Sequence, residues 1–231
     1  MDYRRLGRAG MKVSALGLGT WLTFEHDQAH ADELVDAAIE VGINFFDTAN
    51  TDGRGRGEER LGRALARHRR EPLVIATKVW GPMGEGPNEA GLSRKHLVTQ
   101  CEASLRRLGI DHLDLYQCQR YDPETTLEET LRALDDLIRA GKVLYWGVSG
   151  WGPADLDNAC RLCEAHNLHR PISYQVRYNL LEPGPLAEIL PTCRRHGLGV
   201  VAYSPLAQGV LSGKYLTATP ADSRLADERA G

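Results

Sequence analysis

A carboxylate at the end of a largely apolar run is the first group in this sequence that could do chemistry. Residues 43–46 are followed by Asp47, by small polar residues and by a glycine-rich turn over residues 53–57. Ligands of parallel α/β proteins collect at the carboxyl ends of the strands, so Asp47 is a candidate acid–base or binding group. Taken alone, the segment also fits an ordinary acidic turn after a strand.

Polar or aromatic side chains recur at the ends of the other apolar runs. These candidate groups are Thr20, Trp21, Asp47, Lys78, Gln117, Gln119, Ser149, Gln175, Tyr203 and Ser204. A single polar residue at a strand end indicates only a turn, but a series of such residues at successive strand ends indicates the edge of a binding site. Their chemistry is that of carboxylates, a cation, amides and hydroxyls, which suits binding and proton transfer.

The elements that must position these groups alternate between strand and helix. The predicted strands are residues 15–19, 43–47, 73–78, 113–119, 143–149, 172–176 and 199–204, and the segments between them have apolar residues at helical spacing. Thr126 with Glu129 forms a capping-box pattern, and Pro153 suits a first helical position. Gly42, Gly109, Gly141 and Gly197 stand where helices would end.

Strands that alternate with helices imply a parallel sheet, and catalytic groups from several strand ends favour a (β/α)8 barrel. A doubly wound sheet is the alternative fold. It has less support because no G-x-G-x-x-G pattern follows the first strand: the segment 17–21 has the wrong spacing and no helix directly after it.

A family resemblance rests on motifs that occur in order along nearly the whole chain. They are GLGTW, INFFDTA, ATK, LDLYQ, WGVS, YQVRYN and YSPLAQGVLSGKY. Together they resemble the aldo-keto reductases, and are most similar to the branch with the potassium-channel β-subunits and their bacterial relatives. The resemblance implies a (β/α)8 TIM barrel with an N-terminal β-hairpin, NADPH bound across its top, and hydride transfer at a carbonyl carbon.

The same resemblance implies a catalytic tetrad in which two of the usual residues are replaced. By motif, the family's Asp, Tyr, Lys and His fall on Asp47, Asp52, Lys78 and Gln119. In the family the Lys lowers the Tyr pKa so that the hydroxyl can protonate the developing alkoxide. We expect Asp52, beside Lys78, to be an ionised acceptor or base, and Gln119 to donate a hydrogen bond without exchanging a proton. Tyr121 is a substitute acid or an ordinary surface residue.

The cofactor contacts implied by the resemblance are intact. They are Thr20, Trp21, Asp47, Ser149, Gln175, Tyr203, Ser204, Pro205, Leu206, Lys214 and Arg224, with Tyr203 against the nicotinamide.

Three functions remain open on these grounds. The first is an NADPH-dependent oxidoreductase acting on an unusual carbonyl, enone, imine or alcohol. The second is a non-redox lyase or isomerase that uses the paired carboxylates and Lys78. The third is an NADPH-binding protein without turnover, such as a redox-sensing subunit.

Composition narrows the class of partner. A net charge of −3, with 26% charged and 42% hydrophobic residues, is typical of a globular protein and provides no polybasic segment for nucleic acid or a membrane. No membrane span or signal peptide is present in the sequence, so we expect a cytoplasmic protein with a small-molecule substrate and a possible homo-oligomeric state. The five cysteines, at helix and strand positions, predict buried reduced thiols.

Two local patterns have an alternative functional interpretation. Cys160, Cys163, His166 and His169 could suggest zinc, but a spacing of three along one helix turns the side chains away from a common centre. Residues 53–57 could cradle a phosphate through backbone amides, but a flexible loop fits the glycines better. We expect neither site.

The sequence reaches only the seventh predicted strand. The resemblance implies an eighth strand and helix, and an open sheet would expose two strand edges. We therefore expect residues 1–231 to form a single barrel domain whose C-terminal strand and helix are absent from this sequence through truncation.

Overall fold

The computed structural model describes residues 1–24, 27–221 and 223–226, which form a parallel sheet with helices on its outer side and a hairpin at one end. The antiparallel hairpin pairs β1 (Tyr3–Arg5) with β2 (Lys12–Ser14). The parallel strands are β3 (Gly17–Gly19), β4 (Phe45–Asp47), β5 (Val74–Val79), β6 (Leu113–Cys118), β7 (Val143–Ser149), β8 (Ser173–Arg177) and β9 (Gly199–Tyr203). This confirms the predicted hairpin and all seven predicted strands.

The sheet order follows the chain from β3 to β9, and each neighbouring pair is parallel. A doubly wound sheet would reverse its strand order at a switch point. No reversal occurs among the described strands, so the alternative fold is wrong. The sheet is a half-barrel, and the barrel class predicted from the sequence is confirmed.

Six α-helices of the described chain connect the strands or follow them. They are α1 (Gln28–Glu40), α2 (Arg56–Leu65), α3 (Arg94–Leu108), α4 (Leu127–Arg139), α5 (Pro153–Ala165) and α6 (Ile189–His196). The predicted end signals are used: Gly109 and Gly197 end α3 and α6 in the left-handed conformation. Pro153 is the first residue of α5. No helix in the described ranges combines the length and the apolar character needed to cross a bilayer.

Of the two hydrogen bonds of the capping box predicted for α4, one forms. Thr126 Oγ1 accepts a hydrogen bond from the Glu129 backbone N–H, as expected. The Glu129 carboxylate does not return to the cap, because it accepts a hydrogen bond from the Arg94 backbone N–H at 2.9 Å. Glu129 thus joins the start of α4 to the start of α3.

Alternate residues of each strand supply two apolar layers. Phe46 and Ile75 face the helices, whereas Phe45 and Val74 face the inside of the half-barrel. The inner layer also holds Leu6 and Val13 of the hairpin segment, which therefore closes one end of the sheet. The opposite end, where the strands reach their carboxyl termini, is called the mouth below. All five cysteines are buried and unbridged, as predicted.

Candidate active site

A buried ion pair lies at the mouth, between β4 and β5. Lys78 Nζ is 2.5 Å from Asp47 Oδ2 and donates a second hydrogen bond, of 2.8 Å, to the Thr48 carbonyl. The exposed fractions of the Lys78 and Asp47 side chains are 9% and 18%. A buried ammonium is costly unless it is paired and hydrogen-bonded, and these contacts meet that requirement. The geometry places Asp47 and Lys78 together, as their strand-end positions predict.

Gln117 holds the other oxygen of Asp47. Its Nε2 donates to Asp47 Oδ1 at 3.1 Å, and Gln117 is paired in register with Lys78 across β5 and β6. The sequence predicts Gln117 as a polar strand-end group, but neither as a member of the tetrad nor as a cofactor contact. Its contact with Asp47 follows from the register of β5 and β6, which local sequence pattern does not give.

Asp52 lies at the side of the mouth, at the start of a short 3-10 turn (Asp52–Gly55) that leads into α2. Its Oδ2 accepts a hydrogen bond of 2.7 Å from Thr20 Oγ1, which also lies 2.7 Å from Thr48 Oγ1. Asp52 is therefore bound to the end of β3. The glycines around it are ordered by close packing: Gly57 lies against Asp52, and Gly55 against Arg107.

The surroundings of Asp52 shift its pKa upward. Burial is the largest influence and raises the pKa of Asp52 above its ordinary value, although Lys78 and the Thr20 hydrogen bond lower it. The prediction that Asp52 is ionised rests on the neighbouring charges and omits this burial. Asp52 consequently retains a proton to higher pH than an exposed aspartate does.

Gln119 follows β6 at the mouth. Its backbone N–H donates to the Val79 carbonyl at 2.9 Å, which continues the ladder between β5 and β6. The Oε1 atoms of Gln119 and Gln117 are both buried and have no hydrogen-bond partner within the described residues. Unsatisfied buried acceptors are uncommon in folded proteins and can mark a place where a ligand donates.

The residues implied as cofactor contacts lie in or after several of the parallel strands. Ser149, the last residue of β7, and Gln175, in the middle of β8, are register partners, and both are buried. Tyr203 ends β9 with 44% of its surface exposed, and Trp21 follows β3 with 47% exposed. Beyond β9, Ser204, Pro205 and Leu206 lead into another 3-10 turn, Ala207–Ser212.

Two cations among the implied cofactor contacts lie in the segment after β9. Arg224 contacts the segment that follows β3: its guanidinium is 5.9 Å from the Trp21 ring centroid, and its Nη2 is 3.5 Å from Thr23 Oγ1. Lys214 Nζ is 5.2 Å from the Tyr215 ring centroid. Neither has a carboxylate partner in the described ranges. Cations that lie beside aromatic rings and have no carboxylate partner among the described residues suit a phosphate-bearing nucleotide.

The Cys160 and Cys163 side chains are buried, whereas His169 Nδ1 is paired with Asp135 at 2.7 Å. Among the residues with described coordinates, no group of three or more His, Cys, Asp or Glu side chains could hold a metal ion.

The chain is similar to known proteins over nearly its whole length. Residues 15–230 match the model of the aldo/keto reductase family. The chain is 42% identical over 235 residues to a "Probable voltage-gated potassium channel subunit beta" of Arabidopsis thaliana and 43% identical over 235 residues to one of Oryza sativa subsp. japonica; each match covers 99% of this chain and 71% of the relative. A "Putative voltage-gated potassium channel subunit beta" of Schizosaccharomyces pombe is 39% identical over 232 residues, with 97% and 67% covered.

Proposed function

This chain belongs to the aldo/keto reductase family, and we propose that it is an NADPH-dependent oxidoreductase with an altered acid–base site. Asp52 and Gln119 replace the tyrosine and histidine of the family's tetrad, while Asp47 and Lys78 remain. The substrate is an unusual carbonyl, enone, imine or alcohol. The observation that carries the proposal is the buried Lys78–Asp47 ion pair at the mouth.

Lys78 acts as a fixed positive charge. Asp47 and the Thr48 carbonyl hold its ammonium group at 2.5 and 2.8 Å, and Gln117 restrains Asp47 in turn. A preorganised cation of this kind stabilises negative charge that develops on a substrate oxygen. Gln119 contributes an amide group that orients the substrate beside it.

NADPH supplies the hydride when it is bound. Ser149 and Gln175, register partners of neighbouring strands, would meet the nicotinamide end, as would the exposed ring of Tyr203. Lys214 and Arg224 would meet the phosphates. The fit of these residues to NADPH rests on the hydrogen-bond donors of Lys214 and Arg224. Neither cation has a carboxylate partner in the described structure, and arginine suits bidentate phosphate recognition.

Asp52 holds the proton for the reaction. Its raised pKa extends the protonated form above the pH range of an exposed carboxylic acid, so reduction gains an acid as the pH falls. In the opposite direction, ionised Asp52 accepts a proton from an alcohol. The side chain is shorter than tyrosine, which leaves room for a larger substrate or a water molecule.

A second function is favoured by the names of the relatives. Three proteins that are 39–43% identical are described as potassium-channel β-subunits, and such a description is compatible with NADPH binding without rapid turnover. The lyase or isomerase alternative has less support, because Asp47 is already engaged by Lys78 and Gln117 and leaves Asp52 as a single available carboxylate.

A cofactor titration tests the proposal. We expect NADPH to bind more tightly than NADH, as measured by the change in cofactor fluorescence. Lys214→Ala and Arg224→Ala should each weaken NADPH binding by about tenfold, the low end for a lost hydrogen bond to a charged group. Their effect on NADH should be smaller if the lost contact is to the 2′-phosphate.

Arg132→Ala is the matched control, because Arg132 is an exposed arginine paired with Glu128 on α4. It should leave both affinities unchanged. Absence of NADPH binding at millimolar concentration by the folded chain would contradict the proposed function.

A further inference from the structure

Arg120 is a cation at the mouth that the proposed chemistry does not use. It directly follows Gln119 and is exposed. It makes no ion pair with a carboxylate within the described ranges. Several cations of the outer helices have carboxylate partners, as Arg107 has Glu58 and Arg139 has Asp135. An unpaired guanidinium beside a reaction site is available to an anionic ligand.

The guanidinium of Arg120 is held in place by Trp80. Its Cζ lies 5.3 Å from the centroid of the Trp80 ring, within the range of a cation–π interaction. Stacking on a ring leaves the edge of the guanidinium, with its N–H donors, directed away from the ring. Arg120 is thus oriented without losing its hydrogen-bond donors.

Trp80 is itself fixed in an unusual backbone conformation. It directly follows β5 with a φ of 152°, and its carbonyl accepts a hydrogen bond of 2.7 Å from the Gly91 N–H. Uncommon backbone conformations of non-glycine residues cost energy and are concentrated at functional sites. Here the conformation presents the Trp80 ring to Arg120.

Gly150, at the end of β7, leaves space on the other side of Arg120. A Cβ at this position would be 3.9 Å from Arg120 Cγ, so a side chain longer than alanine would lie over the arginine stem. The φ of Gly150 is 65°, which favours glycine. The approach to Arg120 from β7 is therefore open.

The strand register relates Arg120 to the reacting centre. Lys78 lies two residues before Trp80, and Val79 is paired in register with Cys118, so Trp80 and Arg120 both follow the ends of the neighbouring strands β5 and β6. A ligand whose carbonyl oxygen meets Lys78 would extend past Gln119, where buried Oε1 lacks a partner, toward Arg120.

We propose that Arg120 binds a carboxylate of the substrate, so that the substrate class is a carbonyl compound bearing a carboxylate. This inference rests on the proposed function and deepens it. A single guanidinium matches the single charge and the planar geometry of a carboxylate, which it can bind through two parallel hydrogen bonds.

The test compares 4-formylbenzoate with its methyl ester, which has the same ring and aldehyde but no charge. Binding of each to the full chain is measured by isothermal titration with NADPH present and absent. We expect the acid to bind at least about tenfold more tightly than the ester, as for a charged hydrogen bond. The preference should decrease as salt is raised.

Three variants identify the residue. Arg120→Met should remove the preference for the acid while leaving ester binding unchanged. Arg120→Lys should retain part of it, because lysine keeps the charge but not the fork. Arg132→Met, on α4, should retain all of it. Equal affinity of the unmodified chain for acid and ester, or an acid preference that persists in Arg120→Met, would overturn the inference.

The outcomes also separate this inference from the proposed function. NADPH binding without an acid preference contradicts the role of Arg120 alone. An acid preference without NADPH binding supports the anion site and contradicts the oxidoreductase. If neither NADPH nor the acid binds to the folded protein, both proposals are wrong.

Discussion

At the scale of residues, the charge balance around Lys78 decides what the mouth can do. Asp47 and the Thr48 carbonyl hold the Lys78 ammonium in place, so the cation does not require Asp52 as a partner. Asp52 instead bonds to Thr20, and burial raises its pKa. The proposed role of Asp52 as an acid rests on this raised pKa.

Restoring the tetrad should restore aldehyde reduction. Asp52→Tyr together with Gln119→His replaces the acid and the orienting group beside an intact Lys78–Asp47 pair. We expect the double variant to reduce simple aldehydes at least about 10²-fold faster, the low end of general acid–base catalysis. Each single variant should gain less, since residues that act as one unit are not additive. The assay follows NADPH absorbance at steady state.

The pH profile of the same assay checks the role of Asp52. Protonated Asp52 is the acid, so the slow reduction by the unmodified chain should increase as the pH falls toward the raised pKa of Asp52. The tyrosine variant keeps its proton to higher pH, so its activity should extend there. Efficient aldehyde reduction by the unmodified chain, or no gain in a double variant that binds NADPH, would contradict the assignment of these two positions.

The sequence predicts part of this site well. Asp47 and Lys78 follow apolar runs, and parallel strands must bring such positions to one edge. Gln117 and Gln119 could not be separated in this way, because both stand near the end of β6 and only the register shows which one reaches Asp47. The pKa shift of Asp52 was also inaccessible, since it depends on burial by residues distant in sequence.

At the scale of elements, the limits of the strands show where local pattern fails. The segment 43–47 was predicted as strand, but β4 begins at Phe45. Asn44 instead exchanges hydrogen bonds with Ser14: its N–H bonds to Ser14 Oγ, and its side-chain oxygen accepts from the Ser14 N–H at 2.7 Å. Asn44, just before β4, therefore holds the hairpin in place. The two residues of this contact are 30 positions apart in the sequence, so strand periodicity does not predict it.

The position of α2 depends on close packing and a buried charge. Glu58 is fully buried and bonds to Thr77 Oγ1 and Arg107 Nε, both at 2.6 Å, which joins α2 to β5 and α3. Gly62, one turn further along α2, lies against the backbone of Leu108. Because Asp52 directly precedes this helix, the packing of α2 also positions the proposed acid.

Gly62→Ala should therefore destabilise the protein. The added Cβ would overlap the Leu108 backbone, and overpacking of this kind costs about 1–3 kcal/mol. This should exceed the gain in helix propensity from Gly to Ala, about 1 kcal/mol, if the backbone cannot move. The measurement is urea denaturation followed by circular dichroism. Gly10→Ala, which has no atom within 4 Å of the added carbon, is the control; equal stability of the two variants would refute the packing argument.

At the scale of the whole molecule, contacts between distant segments hold the two ends of the sheet. At one end, the Arg8 N–H donates to the Gly197 carbonyl at 2.9 Å, which ties the hairpin segment to the start of β9. At the mouth, Arg224 lies against Trp21, so the chain after β9 returns to β3. The sequence predicts the number and order of the strands from local pattern. It could not predict these contacts, because they join residues about 190 or more positions apart.

Gly199→Ala should release the hairpin from β9. A Cβ at Gly199 would lie 2.5 Å from the Gly7 nitrogen and 2.6 Å from Leu6 Cδ1. Leu6 is buried in the inner apolar layer, so its side chain has no free space into which it could move away from the added carbon. An overpacking cost of about 1–3 kcal/mol would increase the opened fraction roughly fivefold or more. Trypsin should then cleave after Arg5 and Arg8 correspondingly faster, since cleavage follows the opened population when opening is rapid. Gly10→Ala, at an exposed position of the same segment, should leave the rate unchanged. Unchanged cleavage in Gly199→Ala would show that the hairpin is held by contacts other than those with β9.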